Sequence, residues 1–183
     1  MESTPHHLLI GLGSNVNPLP NIRKALTALS NDFRNLALST FYRTKPLKQR
    51  RQADYVNGVV SAETNRQPQE VENTLKAIEE ELGRTRTNTD PYSSRIIDLD
   101  LLMYDDCVDS ALKLPHPDLL TRDFVLIPAA ELWPNAVHPV EKTRLADCAA
   151  QKFPEAVDII KPVDIGWSAQ AANSTWRHLV LTL

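Results

Sequence analysis

Leu8 to Leu12 is a short apolar run ended by Gly13-Ser14-Asn15, the pattern of a buried strand entering a turn. Pro18 and Pro20 punctuate that turn. Ile22, Ala25, Leu26 and Leu29 then recur at helical spacing, which predicts a first helix over 21–30. Leu36 to Arg43, rich in Ser, Thr and aromatic residues, predicts one strand, and Thr44 to Gln52 a basic loop around Pro46. Tyr55 to Thr64 predicts the next strand. Its alternation puts Tyr55, Asn57, Val59 and Ser61 on one face and Val56, Gly58, Val60 and Ala62 on the other. Pro68 suits the first turn of a second helix, with Val71, Leu75, Ile78 and Leu82 as its apolar stripe and Gly83 as its stop.

A polar loop from Arg84 to Ser94 leads into Ile96 to Tyr104, the clearest strand in the chain. Leu114-Pro115-His116-Pro117 predicts a rigid turn, and Phe124 to Leu132 a short helix started or interrupted at Pro128. Arg144 to Lys152 reads as a further helix and Val157 to Ile165 as extended, with nothing beyond a strand-like tail from Trp167 onward. Strands and helices alternate, but the connections are short and several suggest antiparallel pairing. An α+β sandwich is therefore expected rather than a doubly wound sheet.

The chain has 183 residues, 42% hydrophobic and 23% charged, which suits one ordinary globular domain with a real core. Its net charge of −3 disfavours a dedicated nucleic-acid binder. Basic residues nevertheless cluster at Arg43, Lys45, Lys48, Arg50 and Arg51, and again at Arg84, Arg86 and Arg95. Local positive charge beside local acid suits a small polyanion better than a duplex. Cys107 and Cys148 lack a Cys-x-x-Cys spacing, so neither a disulfide framework nor a zinc site is expected, in keeping with a reducing cytoplasm. The opening MESTPHHLLIGLGSN has no basic run ahead of its short apolar stretch, and no secretory leader or membrane span is expected.

The sharpest chemistry lies in Asp98-Leu99-Asp100. On a strand, both carboxylates point to one face. Two adjacent anions repel unless a cation lies between them, and magnesium takes one or two carboxylates together with phosphates and water. Taken alone, an Asp-x-Asp is equally well read as an edge-strand device against aggregation. Arg84, Arg86 and Arg95 ahead of it favour phosphate chemistry, because guanidinium groups pair phosphate oxygens in bidentate fashion. His116, held between two prolines, has a fixed direction and either donates to a phosphate or braces the turn. Tyr55 and Asn57 on one face would offer a flat heterocycle a platform and an amide, or else belong to the core and the strand edge. Gly11, Gly13 and Ser14 make neither a dinucleotide fingerprint nor a Walker loop.

These pieces together resemble the 6-hydroxymethyl-7,8-dihydropterin pyrophosphokinases of folate biosynthesis. The likeness runs in order through LIGLGSN ending at Asn15, FYRT at Phe41 to Thr44, DYVN at Asp54 to Asn57 and ELGRTR ending at Arg86. It continues through SRIIDLDLLMY at Ser94 to Tyr104, LPHP at Leu114 to Pro117 and RDFVLIP at Arg122 to Pro128. The resemblance implies a ferredoxin-like three-layer α/β/α sandwich with a mainly antiparallel sheet. It implies transfer of pyrophosphate from ATP to the pterin alcohol, leaving AMP, with two magnesium ions on Asp98 and Asp100. Arg84 and Arg95 would act on the phosphates. Glu79, Arg86, Tyr92, Ile97, His116 and Arg122 would complete the nucleotide site. Tyr55 and Phe124 would sandwich the pterin, and Thr44, Asn57 and Leu47 would read its edge.

Two places depart from the family. Tyr92-Ser93-Ser94-Arg95 stands where Trp-Gly-Pro-Arg is common, and Lys45 where proline is common. The expected organisation is one domain over 1–183, with a family-like core over 8–153 and an extension, 154–183, of no assigned role. A cytoplasmic monomer acting on small molecules is expected, without nucleic-acid or membrane partners. The competing readings are a catalytically weakened paralogue that only binds pterin or nucleotide, and a metal-dependent nuclease or phosphohydrolase using the same carboxylate pair.

Overall fold

The structure is a computed structural model, and it describes residues 4–49, 51–84, 94–155 and 161–167. Strand β1 (His6–Ser14) is central, flanked antiparallel by β4 (Tyr55–Thr64) and by β5 (Asp98–Tyr104), which forms one edge of the sheet. The far side of β4 carries β2 (Arg34–Leu38) and β3 (Phe41–Thr44), and β3 pairs in turn with β6 (Lys161–Val163).

Helices cover both faces because the strands alternate. Leu8, Ile10 and Leu12 of β1 join Val56, Val60, Leu99 and Leu101 in a core beneath α1 (Pro18–Asp32) and α2 (Pro68–Glu81). Leu9, Val59, Leu102 and Met103 face the other way, against α4 (Asp123–Leu132) and α5 (Leu145–Lys152). Each fully buried Leu or Ile contributes about 1.5–3 kcal/mol, so both layers are firmly attached. Helix α2 starts where expected, with Pro68 in its first turn and a capping box in which the Gln67 N–H donates to Glu70 Oε2 at 2.7 Å. It stops before Gly83, whose φ of 91° ends the helix.

Two local differences from the sequence expectation have physical causes, and two further expectations are sharpened. Residues 36–43 are two strands rather than one. At the break the Ser39 hydroxyl accepts the Val59 N–H at 2.9 Å, while the Ser39 N–H donates to the Val59 carbonyl at 2.9 Å. A side chain there takes the place of a backbone rung. A one-turn helix, α3 (Asp118–Thr121), follows the proline-flanked histidine and has too few apolar positions to show a period. Pro128 sits inside α4 without starting it. In the extension, β6 spans three residues, and Trp167 packs against the first core.

Candidate active site

The apolar face beneath α4 and α5 does not run the length of the sheet. Past Leu9, Val59 and Leu102 the same face carries Gly11 and Gly13 on β1, Asn57 on β4 and Asp100 and Asp98 on β5. Small and polar residues replace the packing there, and a cavity of about 510 Å³ opens over them. In register, Gly13 lies between Asn57 and Asp98, and Gly11 lies beside Asp100. A Cβ on Gly13 would come within 2.6 Å of Asn57 Oδ1, so the close approach of these side chains over β1 requires glycine.

Asp98 and Asp100 both line the cavity, as their spacing predicts. Although β5 is an edge strand, the pair points into the cavity rather than off the edge. Asp98 is bound on both oxygens. Its Oδ1 accepts from Arg84 Nη1 at 2.5 Å, and its Oδ2 pairs with Arg95 Nη1. Burial, and then the charges of Asp98 and Glu79, push the Asp100 carboxyl up to about 7, against the pull of Arg95 and Arg84. Among the described residues there is no group of three or more His, Cys, Asp or Glu arranged around a common point. The donor set is thus a carboxylate pair under strain from its own charge. It fits a hard divalent ion that also takes substrate oxygens and water.

Glu79 lies beneath this pair rather than in the cavity. It is 2% exposed, accepts the Leu99 N–H at 2.8 Å and pairs with Arg84. Burial works against the Arg84 charge, but Asp98 and Glu79 outweigh it and hold the guanidinium above its usual pKa. His116 follows the Leu114–Pro115 bond, which is cis, and its N–H donates to the Leu102 carbonyl at 2.8 Å. Burial lowers the pKa of its imidazole, and Nδ1 accepts the Asp118 N–H at 3.2 Å. The neutral ring therefore carries its proton on Nε2. Arg122 lines the cavity with Nε 3.5 Å from Asp118 Oδ1, and that buried Nε finds no hydrogen-bond partner among the described residues.

The same cavity brings together the expected heterocycle residues. Tyr55, Asn57, Thr44, Leu47 and Phe124 all line the same cavity. Asn57 Nδ2 donates to Thr44 Oγ1 at 2.7 Å, which fixes the direction of the amide. Ile97 is fully buried in the first core, so its side chain faces away from the cavity. Arg86 and Tyr92 lie outside the described residues. Lys113 and Asp118 also line the cavity, though neither stood out in the sequence. In the sequence they stand on either side of Leu-Pro-His-Pro, and nothing there says that this turn reaches the cavity.

The sequence profile of the 7,8-dihydro-6-hydroxymethylpterin-pyrophosphokinase family matches residues 9–134. The chain belongs to this pyrophosphokinase family. Its relatives include the 2-amino-4-hydroxy-6-hydroxymethyldihydropteridine pyrophosphokinase of Haemophilus influenzae, 37% identical over 135 residues. That match covers 71% of this chain and 83% of the relative. The enzyme of the same name from Aquifex aeolicus is 36% identical over 141 residues, covering 75% and 87%. Among solved structures, Plasmodium falciparum HPPK-DHPS with pterin and p-hydroxybenzoate superposes with a TM-score of 0.65 at 12% identity. The superposition covers 86% of this pyrophosphokinase-family chain and 43% of that longer chain, and it supports the sandwich fold.

Proposed function

We propose that the chain transfers the β,γ-pyrophosphoryl group of ATP to the hydroxymethyl oxygen of 6-hydroxymethyl-7,8-dihydropterin. A bond forms between that oxygen and the β-phosphorus. The bond from the β-phosphorus to the α,β-bridging oxygen breaks, AMP leaves with that oxygen, and the hydroxyl proton is released to water. The observation that carries this reading is the sharing of one cavity: its lining holds the carboxylate pair Asp98 and Asp100 together with Tyr55, Asn57 and Phe124. Family membership supports the same reaction.

In this reading Asp98 and Asp100 hold magnesium, with two ions expected, and the metal would supply charge neutralisation at the phosphate oxygens. The residues around the pair do the rest. Arg84 and Arg95, already converging on Asp98, turn their remaining N–H groups to phosphate. Arg122, on the cavity lining, adds its guanidinium charge, and His116 its Nε2 proton. Tyr55 and Phe124 stack on the pterin, while Asn57 and Thr44, prealigned by their mutual hydrogen bond, and the Leu47 backbone read its edge. Holding the hydroxymethyl oxygen against the β-phosphorus removes most of the entropy cost of a two-substrate reaction.

The substrates in this reading are small molecules, and the expectation of a cytoplasmic monomer is kept as part of the proposal. No helix of the described residues is long and apolar enough to cross a membrane. The test is incubation with ATP, magnesium and the dihydropterin alcohol, using ATP labelled on the β- and γ-phosphates. AMP and a doubly labelled pterin are expected. Release of ADP, a cleaved phosphoester or no turnover overturns the proposal.

A further inference from the structure

We infer that Asn15 is a positioning residue whose buried side chain fixes the backbone of Arg95, and through it the place where the Arg95 guanidinium meets the phosphates. The inference rests on the pyrophosphokinase reading. Asn15 is 4% exposed and is the first residue past β1. Its Oδ1 accepts the Arg95 N–H at 2.7 Å, and its own N–H donates to the Arg95 carbonyl at 3.1 Å. Both peptide groups of Arg95 are therefore closed on one residue. The other end of the amide reaches elsewhere: Nδ2 donates to the Ala53 carbonyl at 3.3 Å and to Ser94 Oγ at 3.4 Å.

Three stretches distant in sequence meet on this one side chain. They are the end of β1, the residues that deliver Arg95, and the residues that lead into Tyr55 on β4. Ser14 reinforces the clasp by donating from Oγ to the Ile96 carbonyl at 2.5 Å. Asn15 does not itself line the cavity, whereas Arg95 does. Its action is therefore indirect. The choice of amide is specific. Only Asn presents an acceptor and two donors at this length, and a carboxylate would turn an oxygen toward the Ala53 carbonyl. Removing it takes away the side-chain acceptor of the half-buried Arg95 N–H and a donor to the Ala53 carbonyl, so the tie between the two segments is lost. A shift of about 1 Å in a catalytic group costs on the order of a hundredfold in rate, so loosening one backbone clasp is enough to matter.

The test is a double-mutant cycle between Asn15→Ala and Arg95→Ala, read by single-turnover AMP formation. If Asn15 acts through Arg95, its loss lowers the rate at least about tenfold when Arg95 is present and less than about twofold when it is absent. Asn15→Asp keeps the acceptor for the Arg95 N–H, should lose less than Asn15→Ala, and serves in the cycle if the alanine variant does not fold. An equal factor in both backgrounds, or none in either, overturns the inference, whatever happens to thermal stability. Calorimetric affinity for a non-hydrolysable ATP analogue with magnesium gives the second readout. It should weaken several-fold with Asn15→Ala only where Arg95 remains. This readout stands even if the wild type releases no AMP, a result that would sink the reaction assignment rather than the clasp.

Discussion

Replacing Asp100 by Asn should stabilise the metal-free protein, and increasingly so as pH rises. The Asp100 carboxyl is held at about 7 in the folded chain against an ordinary value of 3.8, chiefly by burial and by Asp98. Between those values the folded state holds a proton that the unfolded chain has released. Stability therefore falls as pH rises through the window and stays low above it. At about 1.4 kcal/mol per pH unit, the penalty is at most about 4 kcal/mol at pH 8 and under about 2 kcal/mol at pH 5. Asn has the same shape without the charge, so the penalty should be absent from the variant. For a domain of this size 1 kcal/mol moves Tm by about 2–4 °C. The advantage of Asp100→Asn should thus grow by about 5–10 °C between pH 5 and pH 8 in EDTA, measured by circular dichroism. Magnesium should raise the wild-type Tm and narrow the gap, because an ion that binds only the folded pair stabilises it by mass action. Parallel Tm profiles for the two proteins across pH 5–8 in EDTA would refute the picture of Asp100 as a buried, repelled carboxyl.

Three further outcomes can be checked. Asp98→Ala should lower turnover by more than about a hundredfold, the scale of one strong electrostatic contribution, with the fold retained; a near-normal rate in a magnesium-dependence assay removes the metal assignment. Tyr55→Ala and Phe124→Ala should each weaken pterin binding by about 0.5–1.5 kcal/mol beyond the lost area, with ATP affinity hardly changed. Calorimetry showing ATP affinity falling instead would assign the platform to the adenine. Gly13→Ala should drive Asn57 off its hydrogen bond to Thr44, because the new Cβ would sit 2.6 Å from Asn57 Oδ1. Pterin affinity should drop about three- to tenfold, the value of one hydrogen bond, and unchanged affinity would mean that the Asn57 amide does not read the ring.

The strands that build the site were legible because their signals are local. Tyr55 to Thr64 alternates cleanly and appears with the expected bounds and faces. The Asp98 and Asp100 spacing needed only a strand to become a pair on one side. Helix α2 carried its stripe and its glycine stop in the sequence. What stayed hidden depends on partners far along the chain. The break at Ser39 exists because a hydroxyl meets the Val59 N–H across the sheet, and no pattern within residues 36–43 announces that. The place of Glu79 under the carboxylates, rather than among the solvent-facing acids of α2, follows from Arg84 and the Leu99 N–H. Lys113 and Asp118 reach the cavity only because the turn around the cis Leu114–Pro115 bond folds back along β5.

The same contrast explains why the cavity lies where it does. A six-stranded sheet covered on both faces would ordinarily be packed to its ends, since any gap forfeits contacts. Here β1, which lies between β4 and β5, carries glycine at the two positions that face the carboxylates and the amide. With no side chain on Gly11 and Gly13, the floor between Asn57 and the aspartates drops to bare backbone. The polar groups of β4 and β5 can then converge on a bound molecule across a strand that takes up almost no room. Gly11 and Gly13 match neither the dinucleotide fingerprint nor the Walker loop, and they lie within a strand rather than in a turn. They clear space within a strand, and their chemical meaning lies in their register with Asp100, Asp98 and Asn57. A sequence read one strand at a time does not contain that register.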